Sequence, residues 1–304
     1  MKYLALLLVV AMSFIQAYGQ KVLYITHEPG KSHEYTPQKE IFVSLGKEAG
    51  WKLTVSSGTH DDQLIRLEDP QLCDGYDVVV YNFCFAKTLN LNAASNIIDQ
   101  TRNKGVPALV IHCAMHSFWA SYKGSLKKGD KFIQVSESGA MADAKVYEDW
   151  KKQNPHEVFP VWGDFTGVAS TSHGAKAAIK VTKCCAHEST TSVPKAGYTT
   201  AEIAELYNNF YILDSVKPLL IGTQVAYPND IARKRLMGKK LTEAELAVPK
   251  QKSEAVVMWQ VPQGKSELIG LSLGHDISEW QQIEFQNLIK DSVKYLYKNN
   301  KKSK

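Results

Sequence analysis

Short apolar runs alternate with segments of helical period through the first third of the chain. The run KVLYIT (21–26) is β-rich. After it, Thr36 reads as a helix N-cap with Pro37 at the first helical position, and Ile41, Phe42, Leu45 and Ala49 share one face. Gly50 closes that helix, and WKLTVSS is a second strand. YDVVVYNF (76–83) is apolar at both odd and even positions, as a strand buried on both faces must be. NAASNIIDQTRNKG predicts a helix closing on Gly105, and VPALVIH a further strand. This βαβ alternation predicts a doubly wound, mostly parallel sheet flanked by helices.

Beyond residue 120 the rhythm loosens. SYKGSLKKGDKFI is a polar excursion and MADAKVYEDWKKQ predicts a helix, while AAIKVTK (177–183) and PLLIGTQVA (218–226) predict strands. Residues 227–253 are charged and read as a surface insertion. EAVVMWQVPQGKSELIGLSLG is two strands joined at PQGK, an antiparallel hairpin expected at the sheet edge. The last helix carries Phe285, Leu288, Ile289, Val293 and Leu296 on one stripe. No internal repeat is present, and one α/β domain over 20–304 is expected.

Residues 1–19 stand apart. Lys2, the run YLALLLVVAM and the small residues Ala17 and Gly19 form the pattern of a secretory signal peptide, with cleavage expected before Gln20. The run is shorter than the ~20 apolar residues of a membrane span, and no cysteine follows it to carry a lipid. An exported protein, periplasmic or extracellular and without membrane insertion after cleavage, is therefore expected. The net charge of +5 is mild, and the one dense basic run, YKNNKKSK, is terminal, which argues against nucleic acid as a partner. The five cysteines Cys73, Cys84, Cys113, Cys184 and Cys185 contain no CxxC, and free buried thiols are the expectation. Oligomeric state is not legible.

Candidate chemistry gathers where strands stop. Open α/β sheets bind ligands beyond the carboxyl ends of their strands. VLYITHEPGKSHEY supplies His27 and His33, ALVIHCAMHSFW supplies His112 and His116, and LSLGHD supplies His275, five of nine histidines. His27 and His116 lean toward structural roles; His112 and His275 lean toward function. HCAMH has the histidine spacing of a zinc-protease helix but lacks the glutamate base. His33, His112, Glu205 and His275 are nevertheless ligand types that suit a divalent metal, although nothing in their spacing demands one. Asp276 reads either as an orienting carboxylate or as a helix cap, a task Ser278 could share. Trp280, Trp119 and Tyr35 read either as packing residues or as rings that stack on a sugar.

These segments also resemble the ThuA-like, or trehalose-utilisation, family. The resemblance is carried in order by GKSHEY, VIHCAMHSF, GVASTSH around His173, HEST at His187, AELYNN around Glu205, and SLGHDISEW. It implies a class I glutamine amidotransferase-like, flavodoxin-like arrangement, with His112 at the strand-to-helix elbow where those amidotransferases keep a nucleophilic cysteine. The elbow IHCAM has no flanking glycines, and His275-Asp276-Ile277 is no His-x-Glu pair, so glutamine hydrolysis is not expected. The resemblance implies a carbohydrate ligand and chemistry on a 3-keto or related oxidised sugar. His112 and His275 would then be acid and base, Glu205 an orienting or ligating group, and His33, His116, Asp276, Trp119 and Trp280 substrate-binding residues; without the resemblance, Glu205 reads as a surface carboxylate in a helix TAEIAELYNN. A non-catalytic sugar-binding or accessory protein on the same scaffold is the alternative.

Overall fold

The computed structural model describes residues 19–118, 131–136, 140–170 and 172–302. Residues 1–18, within the expected signal peptide, and Trp119 therefore lie outside the described residues. Strands β1 (Lys21–Ile25), β2 (Lys52–Ser56), β3 (Val78–Tyr81) and β4 (Ala108–Ile111) pair in parallel in the order β2-β1-β3-β4. The strand Ser266–Leu271 joins β4, also in parallel.

Alternation along these strands explains the layering. Val22, Tyr24, Val78, Val80, Leu109 and Ile111 face one core, with Phe42 and Leu45 of the helix Tyr35–Glu48 and Leu288 and Val293 of the helix Ile283–Lys302. Leu23, Ile25, Val79, Tyr81, Ala108 and Val110 face the other, with Ile97 and Phe165 of the helices Leu91–Arg102 and Trp162–Thr166. Successive residues of a strand point to opposite faces, so a run apolar at every position can be filled only by packing both sides.

The remaining sheet departs from expectation. The hairpin of Gln251–Gln263 with Ser266–Leu271 is not an edge. The long strand Gln251–Gln263 continues antiparallel to Lys217–Ala226, then Ile179–Lys183, then Tyr198–Thr199. Parallel pairing thus holds for one half of the sheet only. Parallel strands need crossovers of a dozen or more residues; the two-residue turn after Gln263 cannot supply one, so the chain reverses.

Three further differences are local. The first long helix begins at Tyr35, placing Thr36 inside it, and Glu34 at its N-cap makes no side-chain cap bond. Met141–Asp143 is a strand, and Asp143 caps the helix Ala144–Gln153 by accepting from the Val146 amide. Glu205 lies in no helix: Glu205–Tyr207 is a strand paired antiparallel with His173–Lys176, with Glu205 opposite Lys176 and Tyr207 opposite His173. Residues 227–253 are mostly exposed and form the short helices Asn229–Leu236 and Glu243–Leu246, although Ile231 is buried and the stretch from Gln251 belongs to the long strand.

Candidate functional site

The carboxyl rim of the parallel half collects the histidines. β4 ends at Ile111, and His112 begins a 3-10 turn with φ +47°, a left-handed backbone uncommon outside glycine. This is the expected elbow. The strand Ser266–Leu271 is β4's neighbour, so His275, four residues beyond it, arrives at the same place. His112 Nε2 and His275 Nδ1 are 3.3 Å apart across 163 residues of sequence. The His33 ring centroid lies 5.1 Å from each of the other two.

The strand pair Glu205–Tyr207 and His173–Lys176 completes the site. Glu205 Oε2 is 3.3 Å from His275 Nδ1 and 3.6 Å from His112 Nε2, and Oε1 is 3.4 Å from Lys176 Nζ and 3.6 Å from His173 Nε2. Lys176 Nζ donates to His275 Nε2 at 2.6 Å, and Tyr207 OH lies 3.0 Å from His112 Nε2. Lys176, His173 and Tyr207 were not among the expected site residues. A period-2 reading of HGAK against ELY could have found them, but only once that segment is taken as strand.

The proton positions follow from the partners. Lysine has donors only, so His275 Nε2 accepts and its Nδ1 carries the proton toward Glu205 and His112. His112 Nδ1 donates to the Ser272 carbonyl at 2.7 Å, which leaves Nε2 with a free lone pair that accepts from Tyr207. Burial, with the neighbouring His112 and the Glu205 carboxylate acting in opposite senses, pushes His275 down to about 4. Burial with His112 and His275 beside it pushes His33 down to about 3. Burial alone would raise the Glu205 carboxyl, but the adjacent His112 imidazole and the charge His112, His275 and His173 can carry hold it well below the usual carboxylate range. Near neutral pH the site therefore sets an ionised Glu205 carboxylate beside the neutral imidazoles of His33 and His275. Ring nitrogens of His33, His112 and His275 also lie within 4.8 Å of one another, so these three could hold one divalent cation with Glu205 beside it.

The other expected site residues fare unevenly. His116 packs at a tilt against Tyr207, 4.1 Å between centroids, next to the cluster, and burial with His112 and His173 nearby pushes it down to about 3. His27 is buried against Tyr35, with Nε2 accepting from the Cys84 amide. Asp276 caps the helix Ile277–Trp280, accepting from the Ser278 amide at 2.8 Å and from its hydroxyl. The carboxylate that holds the His275 backbone is Glu279, fully buried, which accepts from the amides of His275 and Gly274. Trp280 is a core residue: it has no exposed surface, donates to the Gly274 carbonyl and packs on Phe285, so it cannot stack on a ligand. Tyr35 is equally buried. The cysteine expectation is corrected too: Cys84 and Cys113 are paired as a disulfide, Cα atoms 5.1 Å apart, while Cys73 is free and buried and Cys184 is free and exposed.

Fold and cluster together define an α/β protein with a histidine–carboxylate–lysine site at the strand ends. No protein-family model matches the sequence, and no curated protein matches it. Solved structures do. A ThuA-like protein from Bacteroides uniformis ATCC 8492 superposes with a TM-score of 0.56 at 12% identity, covering 92% of each chain. One from Parabacteroides merdae ATCC 43184 gives 0.55 at 13% identity, over 92% of this chain and 91% of that one. A cytoplasmic protein of Salmonella typhimurium LT2 gives 0.50 at 11% identity, over 91% and 99%. The chain has the ThuA-like fold.

Proposed function

We propose that this protein is an exported carbohydrate-active enzyme of the ThuA-like family that cleaves a 3-keto-glycoside or a related oxidised sugar. The observation that carries the reading is the convergence of His33, His112 and His275 on Glu205, with Lys176 on the outer side of His275. A ketone at C3 acidifies the C2–H bond. His112 Nε2, its lone pair directed by the Nδ1 bond to Ser272, takes that proton. The electron pair forms the enolate and then expels the glycosidic oxygen from C1, leaving an enone. The departing oxygen takes a proton from the His275–Lys176 pair, and water adds to C1 to give the free keto-sugar. Glu205 orients His275, and His33 contacts the sugar. A divalent cation held by the three imidazoles would add Lewis-acid stabilisation of the enolate oxygen.

Purified protein, with its metal content measured, should release the aglycone from a chromogenic 3-keto-glycoside and not from the unoxidised glycoside. His112→Ala should remove turnover by about 10²–10⁴-fold. Equal cleavage of both glycosides, or of neither, would sink the elimination chemistry.

A further inference from the structure

Two ligand sets meet at His33. One is the imidazole set of the site; the other is His33 with Cys84 and Cys113, whose ligand atoms also lie within 4.8 Å of one another. Cys84 stands three residues beyond β3 and Cys113 two beyond β4, and those strands are parallel neighbours. Sheet topology therefore delivers both sulfurs to the rim that carries the histidines. Cys113 directly follows His112 and is buried. His33 Nδ1 is also buried and has no hydrogen-bond partner among the described residues. Such a nitrogen is costly to leave without an acceptor or a ligand.

We propose that Cys84, Cys113 and His33 form a thiol-gated zinc site, closed while the two cysteines are joined and opened by their reduction. The opening step is thiol–disulfide exchange. An external dithiol supplies two electrons, the Cys84–Cys113 bond breaks, each sulfur takes up one proton, and the dithiol leaves as its own disulfide. Zn²⁺ then displaces the two thiol protons and is held by two thiolates and one imidazole. That three-ligand set keeps a fourth position open. Because His33 belongs to both sets, zinc on the sulfurs withdraws one imidazole from the His112–His275 cluster. Metal uptake is measured without any sugar, so the outcome is independent of the keto-glycoside reading.

The test uses the full chain carrying Cys184→Ser and Cys185→Ser, which removes the other adjacent thiols. Metal-free protein, oxidised or reduced with a dithiol that is then removed anaerobically, is titrated with Zn²⁺ against a chromophoric chelator. In His112→Ala, which breaks the imidazole set that shares His33, reduction should add one equivalent of bound zinc, with release of about two protons per ion. The added equivalent should vanish when Cys84→Ser or Cys113→Ser is combined with His112→Ala. Co²⁺ added to the reduced protein reports the same site with Cys84 and Cys113 intact, through a thiolate-to-metal charge-transfer band that the oxidised protein lacks. Zinc uptake unchanged by reduction, an added equivalent that survives both cysteine variants, or a cobalt spectrum without the thiolate band overturns the proposal.

Discussion

At the scale of single residues, what matters in the site is which atom holds each proton. Lys176 has only donors to offer, and its bond to His275 Nε2 sets the tautomer that faces Glu205. Lys176→Met should therefore lower turnover about 10²-fold and change stability by less than about 1 kcal/mol, because the side chain is about a third exposed. Thermal melts run beside activity assays separate the two effects; a large loss of stability would mark Lys176 as structural. A second carboxylate controls acid stability away from the chemistry. Burial would push the Glu28 carboxyl up, but hydrogen bonds from Lys39, Ser57 and Thr36 bring it down to about 2. A carboxyl depressed by folding stabilises the native state above its unfolded value of about 4.5. That contribution fades as pH falls from there toward 2. Glu28→Gln should flatten the pH dependence of stability in that window, as denaturant titrations at pH 3 and pH 6 would show. An unchanged slope would discount the Lys39 and Ser57 contacts.

At the scale of elements, the turn after Leu271 is built so that His275 can reach the rim. Gly274 has φ +102°, and a Cβ there would stand 2.6 Å from Phe285 Cζ and 3.2 Å from Trp280 Nε1. Both faults strike Gly274→Ala: the backbone region is disfavoured for any side chain, and the neighbours are core aromatics. The variant should lose about 1–3 kcal/mol and displace His275, lowering activity beyond the loss of folded protein. Wild-type stability in that variant would contradict this account of the turn. Asp276 is a different case. As the cap of the next helix it should tolerate Asn and lose about 1 kcal/mol as Ala. Activity should follow stability in both variants. A slowed reaction in a fully stable Asp276→Asn would return the residue to the site.

At the scale of the whole molecule, the exposed excursion after the strand Lys217–Ala226 tests how much of the chain the fold requires. The helix Asn229–Leu236 buries Ile231 and reaches the site's strand pair, with Asn229 donating to the His173 carbonyl. The turn after it and the helix Glu243–Leu246 have no buried residue. Replacing 237–247 by a short Gly-Ser linker should preserve cooperative unfolding, since a change of loop length costs only about 0.6 kcal/mol per doubling. Loss of a single sharp transition would show that this segment supports the core.

Local pattern was enough for the parallel strands β1 to β4, the helical layers that flank them and the placing of His112 and His275 just beyond strand ends; that the strand before His275 lies beside β4 was not legible. The legible elements are consequences of local pattern: period-2 and period-3.6 burial is imposed residue by residue, and a βαβ crossover has one strongly favoured hand. The tertiary structure alone decided the rest. The antiparallel half depends on pairing among strands far apart in sequence, and Glu205–Tyr207 forms a strand only because His173–Lys176 lies beside it. The helical pattern in TAEIAELYNN was outweighed by that partner. Lys176 joined the site through a register opposite Glu205, and Cys84 met Cys113 because β3 and β4 are neighbours. Trp280 entered the core because Gly274 turned the chain inward. Contacts of this kind depend on which distant segment becomes a neighbour, and that is settled only when the chain packs.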